Sequence, residues 1–478
     1  MTQRVERAAT APGDRRGWLT RAATGGLGLA LWFWPVPSGL SPEAWHLFAV
    51  FASAIFCVIV GAFPILTTAV LALAIAVLTR TLPADAAYAG FANGTILLII
   101  LAFLVARAVV TCGLGERIGQ WAVSRFGGST LGLSYSLFFV DGVIAPAFPS
   151  NTARSGVLYP LALSLAEAAG ATPGESARRR VGGFLMFSGM ASLSLSSALW
   201  LTAMAANPLG AEIARESGVE IGFGSWLLAA SVPTLTAMAL LPLFLQRVIN
   251  PEVTSTPDAR AAAREALAAM GTLSRDEKIV AATFVGMVAL WGMAATFAID
   301  STAVAFLGLG LLLATGVLTG DDIAKEGDVL ATFLWFASLF TLSAQLNELG
   351  FMSFVGSRLA DAMSGLPGLS AGLILLVAYV LLHYLFVSQT AHLLALFGVF
   401  LDVGVKLGVP AAPLAFMLLF ATNYFSVITP QGSSANLLFV SAGYLSQKEL
   451  YQLGALATAF NLVVYIVVGL PWLAVLSR

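Results

Sequence analysis

The chain has 478 residues, 58% of them hydrophobic and only 10% charged, with a formal net charge of −1. Soluble proteins carry roughly 25% charged residues, so this composition excludes a soluble enzyme. The net charge itself says nothing about partners, because the charges sit in loops between apolar runs, and nucleic acid is not expected as one.

The first stretch, 1–17, is polar and carries Arg4, Arg7, Arg15 and Arg16. No small-residue cleavage site follows the first apolar run, so it reads as a cytoplasmic tail before a first span at 18–36. Apolar runs of a length that crosses a hydrocarbon core of about 30 Å continue at 43–61, 63–79 and 94–111. The segment "GERIGQWAVSRFGG" (115–128) reads as an interfacial amphipathic arm. Further spans are expected at 180–207 and 222–248. A polar, helix-prone connector follows at 249–276, and then spans at 277–298, 301–318, 326–346, 411–440 and 448–475. Two apolar regions, 130–168 and 368–405, are interrupted midway by "FPSNTARSGVLYP" (148–160) and "FVSQTAHLLALFG" (386–398). Their halves reach only part-way across the core, so both are expected to be re-entrant hairpins tipped by the polar residues. The fold class is an all-α polytopic membrane protein of about 11 transmembrane helices plus two re-entrant hairpins.

Lys and Arg placement orients the chain. With the N-terminus inside, seventeen fall in cytoplasmic segments and five (Arg80, Arg215, Arg358, Lys406, Arg478) outside. The C-terminus is then external. The two halves also resemble each other. "TTAVLALAIAVL" (67–78) parallels "STAVAFLGLGLL" (301–312), and "CGLGERIG" (112–119) parallels "NELGFMSFVG" (347–356). The polar tips lie 238 positions apart, and "SSALWL" (196–201) and "SSANLL" (433–438) lie 237 apart. An odd number of crossings separates equivalents, so 43–248 and 277–475 are expected to be inverted repeats, a transporter architecture. The spans containing Ser196, Ser197, Thr429 and Ser433 carry runs of hydroxyls with Pro430 and Gly432, which unwind a helix. Irregular backbone at membrane depth is tolerated where it is buried in protein or lines an aqueous cavity.

At the tips, Ser150, Asn151 and Thr152 answer Ser388, Gln389 and Thr390, and Arg154 answers His392. Helix capping accounts for one hydroxyl per tip, but not for three polar residues or for a cation four places after each serine. Snorkelling of Arg154 and a core role for His392 are the competing structural accounts. A helix N-terminus with hydroxyls and amides is an anion site, and an ionisable residue at membrane depth marks function. These residues, with Ser196, Ser197, Thr429 and Ser433, form the expected substrate site. Arg107 is expected to snorkel, His383 to be structural, and Asn207 to end a helix. Cys57 and Cys112 read as small hydrophobes. No CxxC, HExxH, GxxxxGKS or GxSxG pattern occurs, so no metal, cofactor or catalytic set is expected.

On "PSNTARSGVLYPLALSL" (149–165), "SALWLTAMAANPL" (197–209), "HYLFVSQTAH" (383–392) and "GYL" (443–445), the chain resembles the divalent anion/sodium symporter family, in its dicarboxylate and citrate exchanger branch. The resemblance implies a homodimer in a bilayer, bacterial cytoplasmic membrane being the expectation, with substrate held between the hairpin tips and moved by an elevator-like mechanism. The family's second Ser-Asn-Thr motif departs here at Gln389. Sodium-coupled members use that asparagine near a cation site. The reading is therefore a secondary carrier of di- or tricarboxylates that exchanges substrate for counter-substrate without sodium. A sodium-coupled symporter is the alternative, and a membrane enzyme or channel a remote one. In this reading Arg154 and His392 stand in for coupling cations, so that an empty carrier returns with Arg154 unpaired.

Overall fold

A computed structural model describes residues 15–173, 179–363 and 365–477. Residues 1–14 of the expected tail, together with Arg178 and Arg478 of the charge count, lie outside the described residues. Regular structure among the described residues is helical, with one isolated antiparallel bridge, Ser129 to Ser255. Among the described residues nine helices are long and apolar enough to cross a membrane, including Thr130–Ala147 and Gly368–Leu385, the first halves of the expected hairpins, and shorter apolar helices run over Ile65–Leu78, Ser301–Ala314 and Ala411–Val427.

The first helix covers Arg15–Trp32, so it starts inside the expected tail and stops short of the expected 36. Pro35 and Pro37 follow it, and proline cannot continue a helix. Starts are set by side-chain caps. Ser41 accepts from Ala44 N–H at 3.1 Å, Ser129 from Gly132 N–H at 3.1 Å and Asp300 from Ala303 N–H at 2.7 Å. Ser274 with Glu277, and Ser446 with Glu449, form reciprocal capping boxes. At the equivalent positions Gly113 and Gly350, φ is 80° and 81°, a left-handed turn that glycine adopts without a Cβ clash. Each glycine opens an amphipathic arm, Leu114–Phe126 or Phe351–Ala362.

The two spans expected to unwind at their hydroxyl runs are broken. The helix Arg179–Leu199 stops, passes through a short 3-10 turn at Leu201–Ala203 and restarts at Ala206–Glu216. The helix Ala411–Tyr424 gives way to a 3-10 turn at Phe425–Val427 and irregular chain before Asn436–Ser441. Each hairpin has the same form: a helix (Thr130–Ile144 or Gly368–Leu382), a 3-10 turn (Ala145–Ala147 or His383–Leu385), then an 18-residue helix (Asn151–Ala168 or Gln389–Lys406).

The chain divides into two compact units. One comprises the described residues through Ile100, Gly327–Leu375 and Ala391–Pro410. In it Gly327–Glu348 packs on Ile65–Leu78 and Pro42–Val60, and Thr341 Oγ1 accepts from Gly90 N–H at 3.1 Å. The second comprises Leu101–Glu326, Leu376–Thr390 and Ala411–Arg478. Its centre is Arg179–Leu199, of which an 18-residue window is wholly buried. That helix is lined by Thr130–Ile144, Asn151–Ala168, Phe223–Ile249 and Ala411–Tyr424. Close approach requires glycine there: a Cβ on Gly182 would enter the Tyr444 ring.

The connector is ordered in this second unit. Its helix, Pro257–Ala269, packs along the first arm. Arg117 reaches Glu277 at 2.5 Å and donates to the carbonyls of Gly271 at 2.8 Å and Met270 at 3.1 Å. Arg260 donates to Ser124 O at 3.0 Å, and Thr256 Oγ1 to Gly127 O at 2.9 Å.

Candidate functional site

In the second compact unit, both hairpin tips meet two broken helices. Ser150 (φ −148°, ψ 125°) is extended, and its hydroxyl accepts from Ala153 N–H at 3.3 Å. It therefore caps the helix that follows. Asn151, next in the chain, is turned inward and buried. Its Nδ2 donates to Gln389 Oε1 at 3.1 Å, so the tips touch through their central amides. Gln389 Nε2 donates onward to Thr422 O at 2.8 Å, at the end of Ala411–Tyr424.

Asn151 Oδ1 is doubly engaged. Arg154 Nη2 donates to it at 2.6 Å, and the Ser197 hydroxyl lies 2.5 Å away. Arg154 also donates to Ala203 O at 2.9 Å, Leu193 O at 3.2 Å and Ser197 Oγ at 2.5 Å. Its Nε lies 3.1 Å from Asp141 Oδ1, with both side chains fully buried. Asp141 Oδ2 in turn accepts from Ser196 Oγ at 2.5 Å.

This overturns the expected charge state of the tip. Arg154 is not an uncompensated cation awaiting substrate, because Asp141 from the preceding hairpin arm neutralises it in place. An arginine buried at membrane depth without a carboxylate is costly, and the pair removes most of that cost. Arg154 thereby acts as a rigid clamp on Asn151.

Thr152 Oγ1 and Ser434 Oγ lie 2.7 Å apart, and both residues are exposed. Ser150 and Ser388 are half-buried, while Thr390, Ser196, Ser197, Thr429 and Ser433 are buried. Thr429 and Ser433 sit on the irregular chain after Phe425–Val427. His392 is fully buried on the helix that Gln389 begins, within the stretch that belongs to the first compact unit. His383 is structural as expected: Nε2 is 2.9 Å from Gly432 O, and the ring stacks on Phe425 at 3.9 Å. Arg107 pairs with Glu326 at 3.1 Å.

Sequence reasoning missed or misjudged three residues. Asp141 is one; as a lone acid inside "LFFVDGVIAP", it carried the same signal as Arg154. The others are Asn436, which was missed, and Asn207, expected to end a helix but found in the first turn of Ala206–Glu216. Asn207 Nδ2 donates to Ser197 O at 2.8 Å and Trp200 O at 3.1 Å. Asn436 Nδ2 donates to Ser426 O at 2.8 Å and Thr429 O at 3.3 Å. Each asparagine thus ties down carbonyls ten and seven residues earlier, holding one helix break open in the same way. Asn423 Nδ2 donates to Asn207 Oδ1 at 2.8 Å and links the first break to Ala411–Tyr424.

The exposed rim is hydroxylic and both 18-residue helices begin at it. Each helix N-terminus contributes roughly +0.5 of an elementary charge, so the pair presents about +1 over a neutral floor. Such a site suits an anion with oxygen atoms at both ends. Among the described residues no His, Cys, Asp or Glu cluster could hold a metal.

Residues 16–478 match the family model described as sodium:sulfate symporter transmembrane region. The chain is 41% identical over 453 residues to the putative malate transporter YflS of Bacillus subtilis, covering 94% of this chain and 95% of that one. It is 37% identical over 448 residues to the chloroplastic dicarboxylate transporter 2 of Spinacia oleracea, covering 93% and 79%. The fold is similar to that of Neisseria gonorrhoeae MtrF, with a TM-score of 0.59 at 14% identity, over 95% of this chain and 97% of that one.

Proposed function

The chain belongs to the divalent anion/sodium symporter family, and on that premise we propose that it carries dicarboxylates by sodium-independent exchange. The family and these relatives are transporters, not enzymes, and the protein is an integral membrane protein. Dicarboxylate as the substrate class rests on the named relatives, on the two opposed helix N-termini and on the hydroxyl rim of Ser150, Thr152, Ser388 and Ser434. Tricarboxylates such as citrate extend the class. The remaining expectations from the family resemblance are carried as part of the proposal. They are inverted repeats with re-entrant hairpins, a homodimer, elevator-like movement, a cytoplasmic membrane location, a cytoplasmic N-terminus and an external C-terminus.

One observation carries the sodium independence. A bound sodium ion needs oxygen ligands, and both central amide oxygens of the tips already accept from protein donors. Asn151 Oδ1 accepts from Arg154, and Gln389 Oε1 from Asn151. The donor to Asn151 is a permanent cation, so it occupies the direction from which a second cation would approach.

Exchange rests on the cost of moving the site empty. Without substrate the two helix N-termini would carry about +1 of partial charge through the membrane with no anion set against it. Loaded, a carboxylate offsets that charge. The test is uptake of labelled malate into proteoliposomes. The reading expects fast uptake into vesicles preloaded with malate or succinate, little into empty vesicles, and no response to a sodium gradient. Strong sodium-driven uptake into empty vesicles would replace it with the symporter.

A further inference from the structure

In the first compact unit, the helix Arg15–Trp32 packs against Pro42–Val60, and Pro42–Val60 packs against Ile65–Leu78. Between the outer two helices runs a groove of about 500 Å³, floored by Ala49, Ser53 and Ala54 of the middle helix. Its contact line is fixed at Gly28, where a Cβ would lie 2.9 Å from Ser53 Oγ. One end is marked by Arg21, Phe63 and Cys57, the other by Trp32 and Thr79. Trp32 stacks on His46 at 4.2 Å, which stiffens the far wall.

The geometry points to a binding site for a single acyl chain of an anionic phospholipid, with its phosphate at Arg21. Arg21 to Phe33 spans twelve residues of chain, or about 18 Å. Over that length the groove's volume gives a mean cross-section of about 28 Å². An α-helix, at 10–12 Å across, needs roughly 80–110 Å², so a whole helix from a second copy of the chain does not sit inside it. One extended hydrocarbon chain does. The walls are apolar apart from a few short side chains, among them Thr24, Ser53, Thr68 and Thr79.

The charge sits where a headgroup would. Arg21 is exposed, its Nε donates to Ala62 O at 3.2 Å, and its guanidinium carbon lies 4.8 Å from the Phe63 ring centroid. These contacts hold a permanent cation at the end of the groove. The preceding sequence adds Arg4, Arg7, Arg15 and Arg16 against only Glu6 and Asp14, so the leaflet on this side favours an anionic partner. Lipid tails are as apolar as the groove, so burial alone gives no preference over bulk lipid. Retention comes from van der Waals contact along the slot and from the ionic contact at Arg21.

Native mass spectrometry of the full chain tests this, after exchange into micelles containing equimolar palmitoyl-oleoyl phosphatidylglycerol and phosphatidylethanolamine. The expected spectrum shows one phosphatidylglycerol per protomer. Gly25 lines the groove and a Cβ there meets nothing within 4 Å, so Gly25→Trp fills the slot without a backbone clash and should lower occupancy at least tenfold. Arg21→Gln, at an exposed position, should cut the preference for phosphatidylglycerol about fivefold while leaving an acyl chain bound. Unchanged occupancy in Gly25→Trp, or no retained lipid in the parent protein, would overturn the site. Equal retention of both lipids by the parent protein would overturn the phosphate assignment at Arg21.

Discussion

Replacing Asp141 by leucine leaves the Arg154 guanidinium charged, buried and without its carboxylate. Breaking a buried pair from one side costs about 3–5 kcal/mol. Arg154 retains hydrogen bonds to Ala203 O, Leu193 O, Asn151 Oδ1 and Ser197 Oγ, which place Asp141→Leu near the lower figure. Arg154→Met is the harsher change. It strands Asp141 and also removes one of the two donors to Asn151 Oδ1 and the side-chain donor to Ala203 O, so the upper figure applies. The double variant Asp141→Leu/Arg154→Met carries neither charge, and similar-sized apolar replacements of buried pairs are often neutral or stabilising. It should recover most of the stability lost in either single variant, read as the temperature at which half the detergent-solubilised protein is lost from its monodisperse chromatographic peak. Binding should not recover. Without Arg154 the Asn151 amide loses a charge-assisted bond of about 1.5–3 kcal/mol, so malate affinity should fall about 10–150-fold in a protein that is folded. Single variants as stable as the parent would refute the buried pair. A double variant that binds malate normally would refute the clamp on Asn151.

Asn207→Ala frees Ser197 O and Asn436→Ala frees Ser426 O at a helix break, while Trp200 O and Thr429 O keep backbone donors, at about 1–3 kcal/mol for the unsatisfied group. Faster amide exchange confined to 197–206 and to 426–435, respectively, is the expected signature, with a raised KM for uptake. Gln389→Asn shortens the side chain by one methylene and cannot bridge both Asn151 and Thr422 O; malate binding by calorimetry should weaken about tenfold, the scale of one charge-neutral bond of about 1.5 kcal/mol. Arg117→Ala releases the connector from the first arm. Limited proteolysis should then cut within 249–274, while malate affinity stays unchanged.

Much of the fold was legible because burial in lipid forces apolar runs to be helices, and polar residues inside them stand out. "PSNTAR" and "FVSQTAH" marked both tips for that reason, and "GERIGQWAVSRFGG" marked the first arm. Pairing was not legible. Asp141 precedes Arg154 by thirteen residues, and only the reversal of the chain at Ala145–Ala147 brings the two together. The expected broken spans were located by their hydroxyls, but the asparagines that hold them open lie seven and ten residues downstream of the carbonyls they bind. Both spacings cross a helix break, where the chain follows no regular repeat. The two compact units each draw on three separate stretches of chain, an interleaving with no trace in linear order.

The central claim is that the two tip amides meet each other and a built-in cation, leaving no place for sodium. Binding linkage addresses it directly, because an ion that shares the site must change substrate affinity, and substrate must change the ion's affinity by the same factor. The measurement is the malate Kd of the solubilised protein, by calorimetry, in sodium chloride and in choline chloride at equal ionic strength. Values that agree within about twofold, less than 0.5 kcal/mol of coupling, are what the geometry of Asn151, Gln389 and Arg154 predicts. A Kd ten or more times lower in sodium would contradict it.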